Sequence, residues 1–305
     1  SVLYLQAISN LLSKLFEPWT TQILFNMLIR EVLKCEAAHV DLLDRELLLA
    51  YAIKKNREYI VAHREARIFF LTYLLYRWRL WKRKNNIPLA YIIGYKEFFG
   101  HKFLVNKHTL IPRPDTEILV ESAISILQNE WGAITLIDVG TGTGCIPISI
   151  FKTLGTQSDR IEYHAIDVSA GALAVACKNP NSLEAPIKFK TGSLLEPYNF
   201  EHYKNSTVII TANLPYLMHE QFEQEKSIQH EPYYALVATE NGLALYKQLL
   251  EQVSKLSLKK IIVLCEIDPS QTEEFKNIVQ HYLPQALIEV KKDLANLGRV
   301  VVIRF

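Results

Sequence analysis

The first part of the chain repeats apolar residues at the three- and four-residue spacing of amphipathic helices. Two groups share this spacing: Leu5, Ile8, Leu12, Leu15 and Phe16, and then Leu24, Met27, Leu28 and Val32. Asp41 is placed to cap a third helix, and residues 64–81 predict a further one. Residues 1–85 contain no glycine and a single proline, Pro18. We therefore predict an all-helical domain over residues 1–85.

After this domain, short strand-like runs replace the helical spacing. Two such runs flank Gly100 and predict a β-hairpin, so residues 86–112 are expected to connect the helical domain to the rest of the chain. Closely spaced prolines then stiffen an extended segment. Asp115 or Thr116 can cap the helix that follows, which is predicted to run to about residue 128.

From residue 133 onwards, buried-type strands alternate with helices, which is typical of a parallel sheet covered on both faces. The predicted strands lie near 134–138, 161–166, 187–190, 207–212, 259–266, 286–291 and 299–305, and the predicted helices near 145–154, 170–178, 242–257 and 270–281. The last two strands have no helix between them, so we expect them to pair antiparallel at one edge. The predicted fold class for residues 113–305 is α/β.

Composition excludes several classes of protein. With 49% hydrophobic and 22% charged residues, the chain is typical of globular proteins. A net charge of +2 is too small to indicate a nucleic-acid partner. The four cysteines are scattered, which argues against disulfides and against a zinc site, so no metal is expected.

Nothing in the sequence predicts a membrane or secretory protein. The longest apolar run, residues 68–76, is much shorter than the ~20 residues of a membrane span. No signal peptide is visible, although the chain starts at Ser1 and a few native residues could precede it. We therefore expect a cytoplasmic protein that does not contact membranes.

A glycine-rich turn follows the first strand of the α/β region. From Asp138 to Gly144 the sequence reads Asp-Val-Gly-Thr-Gly-Thr-Gly. Glycines at alternate positions make a tight turn without Cβ atoms, so a ligand can approach the backbone. Pro147 then falls in a first helical turn, where proline is tolerated. This layout is typical of a nucleotide-type cofactor site, and the alternative is a glycine-rich turn that binds nothing.

A second acid, Asp167, closes the next apolar strand. The carboxyl ends of neighbouring parallel strands lie at one edge of a sheet, so this carboxylate is expected beside the glycine turn. An acid at that position can accept hydrogen bonds from the two hydroxyls of a ribose. Together the turn and the acid predict a cofactor site.

The strand near 207–212 ends in Asn213, Leu214, Pro215 and Tyr216, which parallel order places at the same sheet edge. A planar –NH2 group can be bound by an asparagine, by two carbonyls on a proline-stiffened turn and by an aromatic ring. Hydrogen bonds to the Asn213 side-chain oxygen and the Leu214 carbonyl would favour a pyramidal nitrogen whose lone pair faces an electrophile. The Tyr216 ring would pack on the amide or base plane. The alternative is a plain strand-to-loop turn.

The glycine turn, with its D-x-G-x-G-x-G spacing, resembles that of class I S-adenosylmethionine-dependent methyltransferases, which implies S-adenosyl-L-methionine as the cofactor. Asn-Leu-Pro-Tyr resembles the Asn-Pro-Pro-Tyr signature of amino methyltransferases that act on glutamine side chains, adenine or cytosine. Leu214 departs from that signature. It keeps the backbone carbonyl and the extended bias of a residue before proline, but adds an N–H group that must find a partner.

A wider set of motifs narrows the resemblance. The set comprises Pro88-Leu-x-Tyr-Ile-x-Gly94, Glu97-Phe-Phe-Gly100, Leu110-Ile-Pro-Arg-Pro-Asp-Thr-Glu117, Glu231-Pro232 with Ala235-Leu236, and Lys292-Asp-Leu-Ala295. Over roughly residues 85–305 the chain resembles the N5-glutamine methyltransferases of peptide-chain release factors. The resemblance implies a Rossmann-like, seven-stranded class I methyltransferase domain with strand order 3-2-1-4-5-7-6, preceded by a helical substrate-recognition domain and a β-hairpin. It also implies methyl transfer to the glutamine of the Gly-Gly-Gln loop in class I release factors.

The resemblance also assigns residues by position. Those implied to contact the cofactor are Asp138, Gly140, Thr141, Gly142, Thr143, Gly144, Asp167, Ser193, Leu194 and Asn213; those implied to hold the glutamine and promote transfer are Asn213, Leu214, Pro215 and Tyr216. Many relatives have an acid and often an aromatic residue where this chain has Ser193 and Leu194. Here the serine can accept a hydrogen bond from the adenine amine and the leucine can pack on its ring, with weaker binding. Arg113 is interpreted as a substrate-binding residue held over the cleft, or as a surface charge beside a rigid turn.

Several alternatives remain open at this point. Residues 77–84 interleave two tryptophans with five cations, which suits RNA or an acidic protein, or else a helix end whose cations favour the dipole. The enzyme could instead methylate a ribosomal protein or, less favourably, a nucleic-acid base. It could also be a catalytically inactive cofactor-binding module that docks on RNA or ribosomes. We expect a monomer with no stable nucleic-acid partner.

Overall fold

The computed structural model describes residues 27–34, 40–179 and 184–305. The helix predicted from the apolar residues at positions 5–16 lies outside these ranges. The chain divides into two compact units, Ser1–Ile93 and Gly94–Phe305. The hairpin around Gly100 therefore belongs to the second unit, and the assignment of the first unit to substrate recognition stays a prediction.

The first unit is mainly helical where the structure describes it. Its elements are β1 (Met27–Leu28), α1 (Ile29–Lys34), α2 (Leu42–Ile53), α3 (Arg57–Ala62), β2 (Arg67–Ile68), α4 (Phe70–Lys84) and α5 (Leu89–Ile93). The helix predicted over residues 64–81 is wrong at its start, because β2 pairs antiparallel with β1 and the helix begins only at Phe70. Asp41 does occupy the N-cap position of α2, but its side chain makes no capping hydrogen bond.

A buried carboxylate ties α3 and the turn after it to α2. Glu46 is 1% exposed. Its two oxygens accept hydrogen bonds from Arg57 Nε at 2.9 Å and from Arg64 Nη2 at 2.6 Å. A buried carboxylate is stable only when its charge is paired, so these two arginines fix the position of Glu46 on α2.

The cations of residues 77–84 contact side chains of their own unit. Arg83 Nε donates a hydrogen bond to Asp44 at 2.6 Å, and Lys82 Nζ lies 3.7 Å from the centre of the Trp78 ring. The basic residues of the last turn of α4 also favour the negative end of the helix dipole. These contacts support the interpretation of the stretch as a helix end.

The second unit contains the β-hairpin and the α/β region. Its strands are β3 (Tyr95–Phe98), β4 (His101–Leu104), β5 (Ile134–Val139), β6 (Ile161–Asp167), β7 (Ile187–Thr191), β8 (Thr207–Ala212), β9 (Lys260–Glu266), β10 (Leu287–Lys292) and β11 (Gly298–Arg304). Its helices are α6 (Glu117–Asn129), α7 (Cys145–Leu154), α8 (Ala170–Lys178), α9 (His219–Gln224), α10 (Ala244–Ser254) and α11 (Thr272–Tyr282). Across the described ranges, none of the helices has both the length and the apolar content that a membrane crossing requires.

One seven-stranded sheet organises this unit, in the order β10-β11-β9-β8-β5-β6-β7. Counted from β5 as the first strand and read from the opposite edge, this is 3-2-1-4-5-7-6, so the predicted order is confirmed. The antiparallel pairing of β10 with β11 is also confirmed. Strand β5 pairs in parallel with β6 and β8, and β8 pairs in parallel with β9. The carboxyl ends of these four strands therefore lie along one edge of the sheet.

Alternate residues of the central strand face opposite sides of the sheet, as the two-residue period of a strand requires. Leu136 on β5 belongs to the apolar core that also contains residues of α6 and α7, whereas Ile137 belongs to the core with residues of α10 and α11. Both side chains are fully buried. Helices on both faces fix the sheet and hold its carboxyl edge in place.

A substitution at Ile210 measures how much the buried core of the sheet contributes to stability near this edge. Its side chain on β8 is fully buried, shortly before Asn213. Ile210→Ala should lower the free energy of unfolding by about 2–5 kcal/mol, because it removes buried apolar atoms and leaves a cavity. Urea unfolding followed by circular dichroism measures the free energy of unfolding. The control is Leu287→Ala, at a side chain on β10 that is 72% exposed, and it should change the free energy of unfolding by less than about 0.5 kcal/mol. Equal losses in the two variants would contradict the prediction.

Candidate active site

The glycine turn between β5 and α7 is held in place by β6. The Gly140 N–H donates a hydrogen bond to the Ile166 carbonyl at 2.9 Å, and the Gly142 N–H donates to Asp167 Oδ2 at 2.8 Å. Gly140, Gly142 and Gly144 adopt φ angles of 73°, 55° and 77°, a region that residues with side chains rarely adopt. The path of the turn therefore depends on its glycines and on the Asp167 carboxylate.

The surroundings of the three glycines differ. A Cβ atom at Gly140 would lie 3.1 Å from Leu214 Cδ2, and one at Gly144 would lie 3.0 Å from Ile148 Cδ1. A Cβ atom at Gly142 would meet no atom within 4 Å. The first and third glycines thus allow close packing, whereas Gly142 borders open space. That open space is the feature of the turn that fits a bound cofactor.

The two predicted cofactor acids lie in different environments. Asp167 is 8% exposed, and its Oδ1 accepts a hydrogen bond from the Ser169 N–H at 2.8 Å. Burial raises the pKa of the Asp167 carboxyl, and the two backbone hydrogen bonds oppose this shift. Asp138 is fully buried and accepts a hydrogen bond from the Thr211 hydroxyl at 2.7 Å, and burial raises its pKa to about 7. Asp138 thus links β5 to β8, and its contact with the cofactor stays a prediction.

A cavity of about 100 Å³ lies at this edge of the sheet. The predicted site residues in its wall are Gly140, Gly142, Asp167, Ser193, Leu194, Asn213, Leu214 and Pro215. Thr141, Thr143 and Gly144 are not part of this wall, and the two threonine side chains are buried. The structure therefore brings most of the predicted cofactor residues together around one space.

Residues 192–194 line this cavity, and the backbone is strained at Leu194. Leu194 has a φ of 47°, which is unusual for a residue with a side chain, and its side chain is 5% exposed. The Gly192 N–H donates to the Asp167 carbonyl at 3.1 Å, and the Leu195 N–H donates to Gln252 Oε1 at 2.9 Å. These bonds hold the strained loop beside the cavity, as is common at functional sites.

The first three residues of the tetrapeptide after β8 line this cavity, whereas Tyr216 lines the second cavity described below. Asn213 Nδ2 donates a hydrogen bond to Thr116 Oγ1 at 3.0 Å, which leaves the Asn213 side-chain oxygen available as an acceptor. The N–H that Leu214 adds to the family signature donates to the Tyr246 hydroxyl at 3.1 Å. The departure at Leu214 therefore leaves no unsatisfied backbone donor.

Tyr216 is anchored at both its side chain and its backbone. Its hydroxyl donates to Glu266 Oε1 at 3.4 Å, and its carbonyl accepts a hydrogen bond from Gln271 Nε2 at 2.9 Å. Gly242, with a φ of 80°, lies so close that a Cβ atom there would overlap the Tyr216 carbonyl. Burial raises the pKa of the Tyr216 hydroxyl, so this group stays protonated.

Arg113 lines a second, smaller cavity of about 30 Å³ next to the tetrapeptide. Its Nη2 donates a hydrogen bond to Glu231 Oε1. Glu231 is 5% exposed, and its Oε2 accepts the Ile111 N–H at 2.9 Å. Both cavities share Leu110 and Ala235 in their walls, besides three residues of the tetrapeptide. Arg113 is thus held beside the tetrapeptide by an ion pair with the buried Glu231 carboxylate.

Comparison with known proteins shows the family. The family model of the PrmC N-terminal domain matches residues 27–94. A release factor glutamine methyltransferase of Bacillus cereus is 31% identical over 260 residues, which cover 84% of this chain and 90% of that relative. One of Enterococcus faecalis is 36% identical over 220 residues, which cover 72% of this chain and 76% of the relative. The chain belongs to the release factor glutamine methyltransferase family. The resemblance stated from the sequence motifs is therefore confirmed.

A solved structure agrees with this family in fold. The catalytic domain of hMettl16, solved in complex with MAT2A 3′UTR hairpin 1, has a TM-score of 0.51 and 15% identity, and the match covers 70% of this chain and 78% of that one. At this identity the likeness shows the fold alone. Together with the strand order and the family, it confirms the predicted Rossmann-like class I methyltransferase domain.

Several residues at the site were not predicted from the sequence as functional. They are His108, Thr116, Glu231, Tyr234, Tyr246, Glu266 and Gln271. Thr116 and Glu231 lie within motifs of the family, and Glu266 is an acid at the carboxyl end of a strand, so the sequence did carry signals for them. Tyr246 and Gln271 had no such signal, because their roles come from tertiary contacts.

No metal centre is found among residues 27–34, 40–179 and 184–305: no three or more His, Cys, Asp or Glu side chains cluster in a way that could hold an ion. The hydrogen-bonding groups at the sheet edge are instead backbone N–H groups, carboxylates and amide groups. These are suited to a neutral or cationic organic ligand with hydroxyl groups. The arrangement is compatible with the cofactor that the sequence predicts.

Asp167→Ala should weaken S-adenosylmethionine binding by about 1.5–3 kcal/mol, the range for hydrogen bonds to a charged group. Two contributions are expected, since the variant loses both the carboxylate at the cavity and the bond that orders Gly142. Isothermal titration calorimetry measures the affinity. The control Asp159→Ala removes an exposed acid outside the site and should not change it. Unchanged affinity in Asp167→Ala would exclude Asp167 from the cofactor site.

Proposed function

We propose that this protein transfers a methyl group from S-adenosyl-L-methionine to the side-chain amide nitrogen, N5, of the glutamine in the Gly-Gly-Gln loop of class I release factors. One observation carries the proposal. Asn213 is fixed through its Nδ2 to Thr116, so its side-chain oxygen is left to accept a hydrogen bond at the cavity. Membership of the family supports the choice of a glutamine amide as the acceptor group.

The residues that would hold the cofactor are those around Gly142 and Asp167. The open space at Gly142 lets a ligand approach the backbone, and Asp167 places a buried carboxylate at the end of β6. Ser193 and Leu194 line the same cavity and would contact the adenine. When bound, the cofactor supplies an electrophilic methyl group on a positively charged sulfur.

The tetrapeptide would orient the amide nitrogen of the substrate. The Asn213 oxygen and the Leu214 carbonyl can each accept one hydrogen of the –NH2 group. The Tyr246 hydroxyl lies 3.3 Å from the Leu214 carbonyl oxygen but closer to the Glu266 carbonyl oxygen. It donates its single proton to the Glu266 carbonyl, so the Leu214 carbonyl can accept a hydrogen bond from the substrate. With both hydrogens held, the nitrogen lone pair is directed at the methyl group. Most of the acceleration then comes from positioning, and the proton leaves after transfer without a strong base.

The surface after the tetrapeptide favours a protein loop over a nucleic acid. Glu220, Glu223 and Glu225 are exposed on and just after α9, where carboxylates would repel phosphates. Glu231 does not add to this exposed charge, because it is buried and paired with Arg113. The glycines of a Gly-Gly-Gln loop would let the glutamine reach a narrow cleft. The first unit, which contains the matched PrmC N-terminal domain, would bind the rest of the release factor.

Asn213→Ala should lower the turnover number at least ~100-fold while leaving cofactor affinity within a few fold, because orientation of the amide is lost and the other residues that would hold the cofactor remain. Steady-state methylation and calorimetric titration measure the two quantities. Asn199→Ala, at an exposed asparagine away from the site, is the control and should retain turnover. A wild-type protein without turnover on any release factor, ribosomal protein or DNA would instead support an inactive binding module.

An intact class I release factor should be methylated far more efficiently than a free peptide of the same loop, because the helical unit would hold the remainder of the factor. Tritiated methyl transfer compares release factor, loop peptide, ribosomal protein and duplex DNA in parallel. The release factor should be the main labelled product, at its loop glutamine by mass spectrometry. Efficient labelling of DNA or of the ribosomal protein, with none on the release factor, would refute the proposed substrate.

A further inference from the structure

One part of the wall of the larger cavity is formed by side chains that also face solvent. His108, Val168 and Tyr234 line the cavity and are exposed, and Tyr234 is 49% exposed. A side chain that both lines a cavity and faces solvent lies at the mouth of that cavity. These residues therefore mark a place where a ligand can enter the candidate cofactor site.

The Tyr234 hydroxyl joins two other segments of this mouth. It lies 3.3 Å from the His108 carbonyl oxygen and 3.1 Å from Ser169 Oγ. A hydroxyl can donate one hydrogen bond and accept another, so both contacts can form at once. His108 lines the cavity itself, and Ser169 directly follows the lining residue Val168. A single hydroxyl thus ties together three segments that are far apart along the chain.

Both partners of this hydroxyl are held in place by other contacts. Ser169 Oγ accepts a hydrogen bond from the Ala172 N–H at 3.1 Å, which caps α8. The His108 N–H donates to Asn106 Oδ1 at 2.9 Å. The His108 ring packs against Gly171 so closely that a Cβ atom there would lie 3.0 Å from the ring. The two acceptors are therefore fixed points at the mouth.

The backbone that carries Tyr234 is also held. The Ala235 N–H donates to the Pro232 carbonyl at 2.9 Å, and the Leu217 N–H donates to the Leu236 carbonyl at 2.9 Å. The exposed side chain of Tyr234 is then the part of the mouth with most freedom to move, since exposed side chains change rotamer readily. Rotation about its Cα–Cβ bond takes the hydroxyl away from both acceptors and opens the mouth.

We infer that Tyr234 is a gate for the cofactor site: its hydroxyl, bound to His108 and Ser169, holds the aromatic ring across the mouth, and the cofactor enters and leaves when these bonds break. The inference rests on the proposed function, because the cofactor is the one named there. The bonds of the gate join groups of the protein alone. The rates of entry and exit therefore both scale with the fraction of time that the gate is open, and their ratio, the affinity, does not.

The neighbouring tyrosine provides a matched control. Tyr233 is 47% exposed, and its hydroxyl lies 3.1 Å from His219 Nδ1. Its ring packs edge-on against Phe222, with 5.1 Å between the ring centroids. Tyr233 is not part of the cavity wall. Tyr233→Phe thus removes an equally exposed hydroxyl from the same turn without affecting the gate.

The first test measures the rates of S-adenosyl-L-methionine binding by surface plasmon resonance on the immobilised protein. In Tyr234→Phe the association and dissociation rate constants should both rise about 3- to 10-fold, because two modest hydrogen bonds are lost, while Kd stays within about 2-fold. Ser169→Ala removes one acceptor and should raise both rates by a smaller factor. Tyr233→Phe should match wild type. Unchanged rates in Tyr234→Phe would overturn the inference, as would a rise in dissociation alone, which indicates a direct contact with the cofactor.

The second test needs no cofactor. Hydrogen–deuterium exchange followed by mass spectrometry should show faster exchange of residues 107–110 and 169–173 in Tyr234→Phe than in wild type or Tyr233→Phe, because the hydroxyl ties these segments together. Equal exchange in the three proteins would overturn the inference. Should Tyr234→Phe fail to fold, Ser169→Ala gives the same two comparisons.

The outcomes separate the gate from the proposed function. If wild type binds S-adenosyl-L-methionine but methylates no release factor, the proposed function fails, and the two rate constants still decide the role of Tyr234. If methylation is observed and Tyr234→Phe exchanges the cofactor at the wild-type rates, the gate alone fails. Wild type that does not bind S-adenosyl-L-methionine would overturn both.

Discussion

Parallel hydrogen bonding of β5 to β6 and β8 is the constraint on which the site depends. It sets the three strands in register, so that three polar residues meet at one edge of the sheet. Asp138 and Asp167 lie in the last two residues of β5 and β6, and Asn213 directly follows β8. The apolar cores on both faces then hold the strands against movement. Catalysis by orientation requires this rigidity, because small displacements of the reacting groups cost large factors in rate.

Polar groups that are buried at this edge must form hydrogen bonds with one another, and only their remaining hydrogen-bonding capacity is available to a ligand. Asp167 orders the glycine turn through the Gly142 N–H, and the Tyr246 hydroxyl accepts the N–H of Leu214. Each bond satisfies a polar group that the fold buries. The bond from Asn213 Nδ2 to Thr116 also leaves the Asn213 side-chain oxygen to accept a hydrogen bond at the cavity.

Substrate choice follows from charge as well as shape. A methyltransferase fold alone does not distinguish a glutamine amide from a base, since related folds serve many substrates. In this protein the exposed glutamates of α9 disfavour a phosphate backbone, and Arg113 is neutralised by the buried Glu231. The family places the acceptor among release factors, and the acidic surface beside the tetrapeptide is consistent with a protein partner.

The amino-acid pattern predicted the strands of the α/β region, the glycine turn and the tetrapeptide, because these depend on short-range periodicity and on residues that lie close together along the chain. The strand order followed from the family that these motifs resemble. The pattern predicted the start of α4 wrongly, since the pairing of β2 with β1 joins residues that are distant in sequence. The placements of Tyr246, Gln271 and Glu266 behind the tetrapeptide were likewise decided by tertiary structure. Their hydrogen bonds span long separations along the chain, and no local spacing encodes which buried donor meets which buried acceptor.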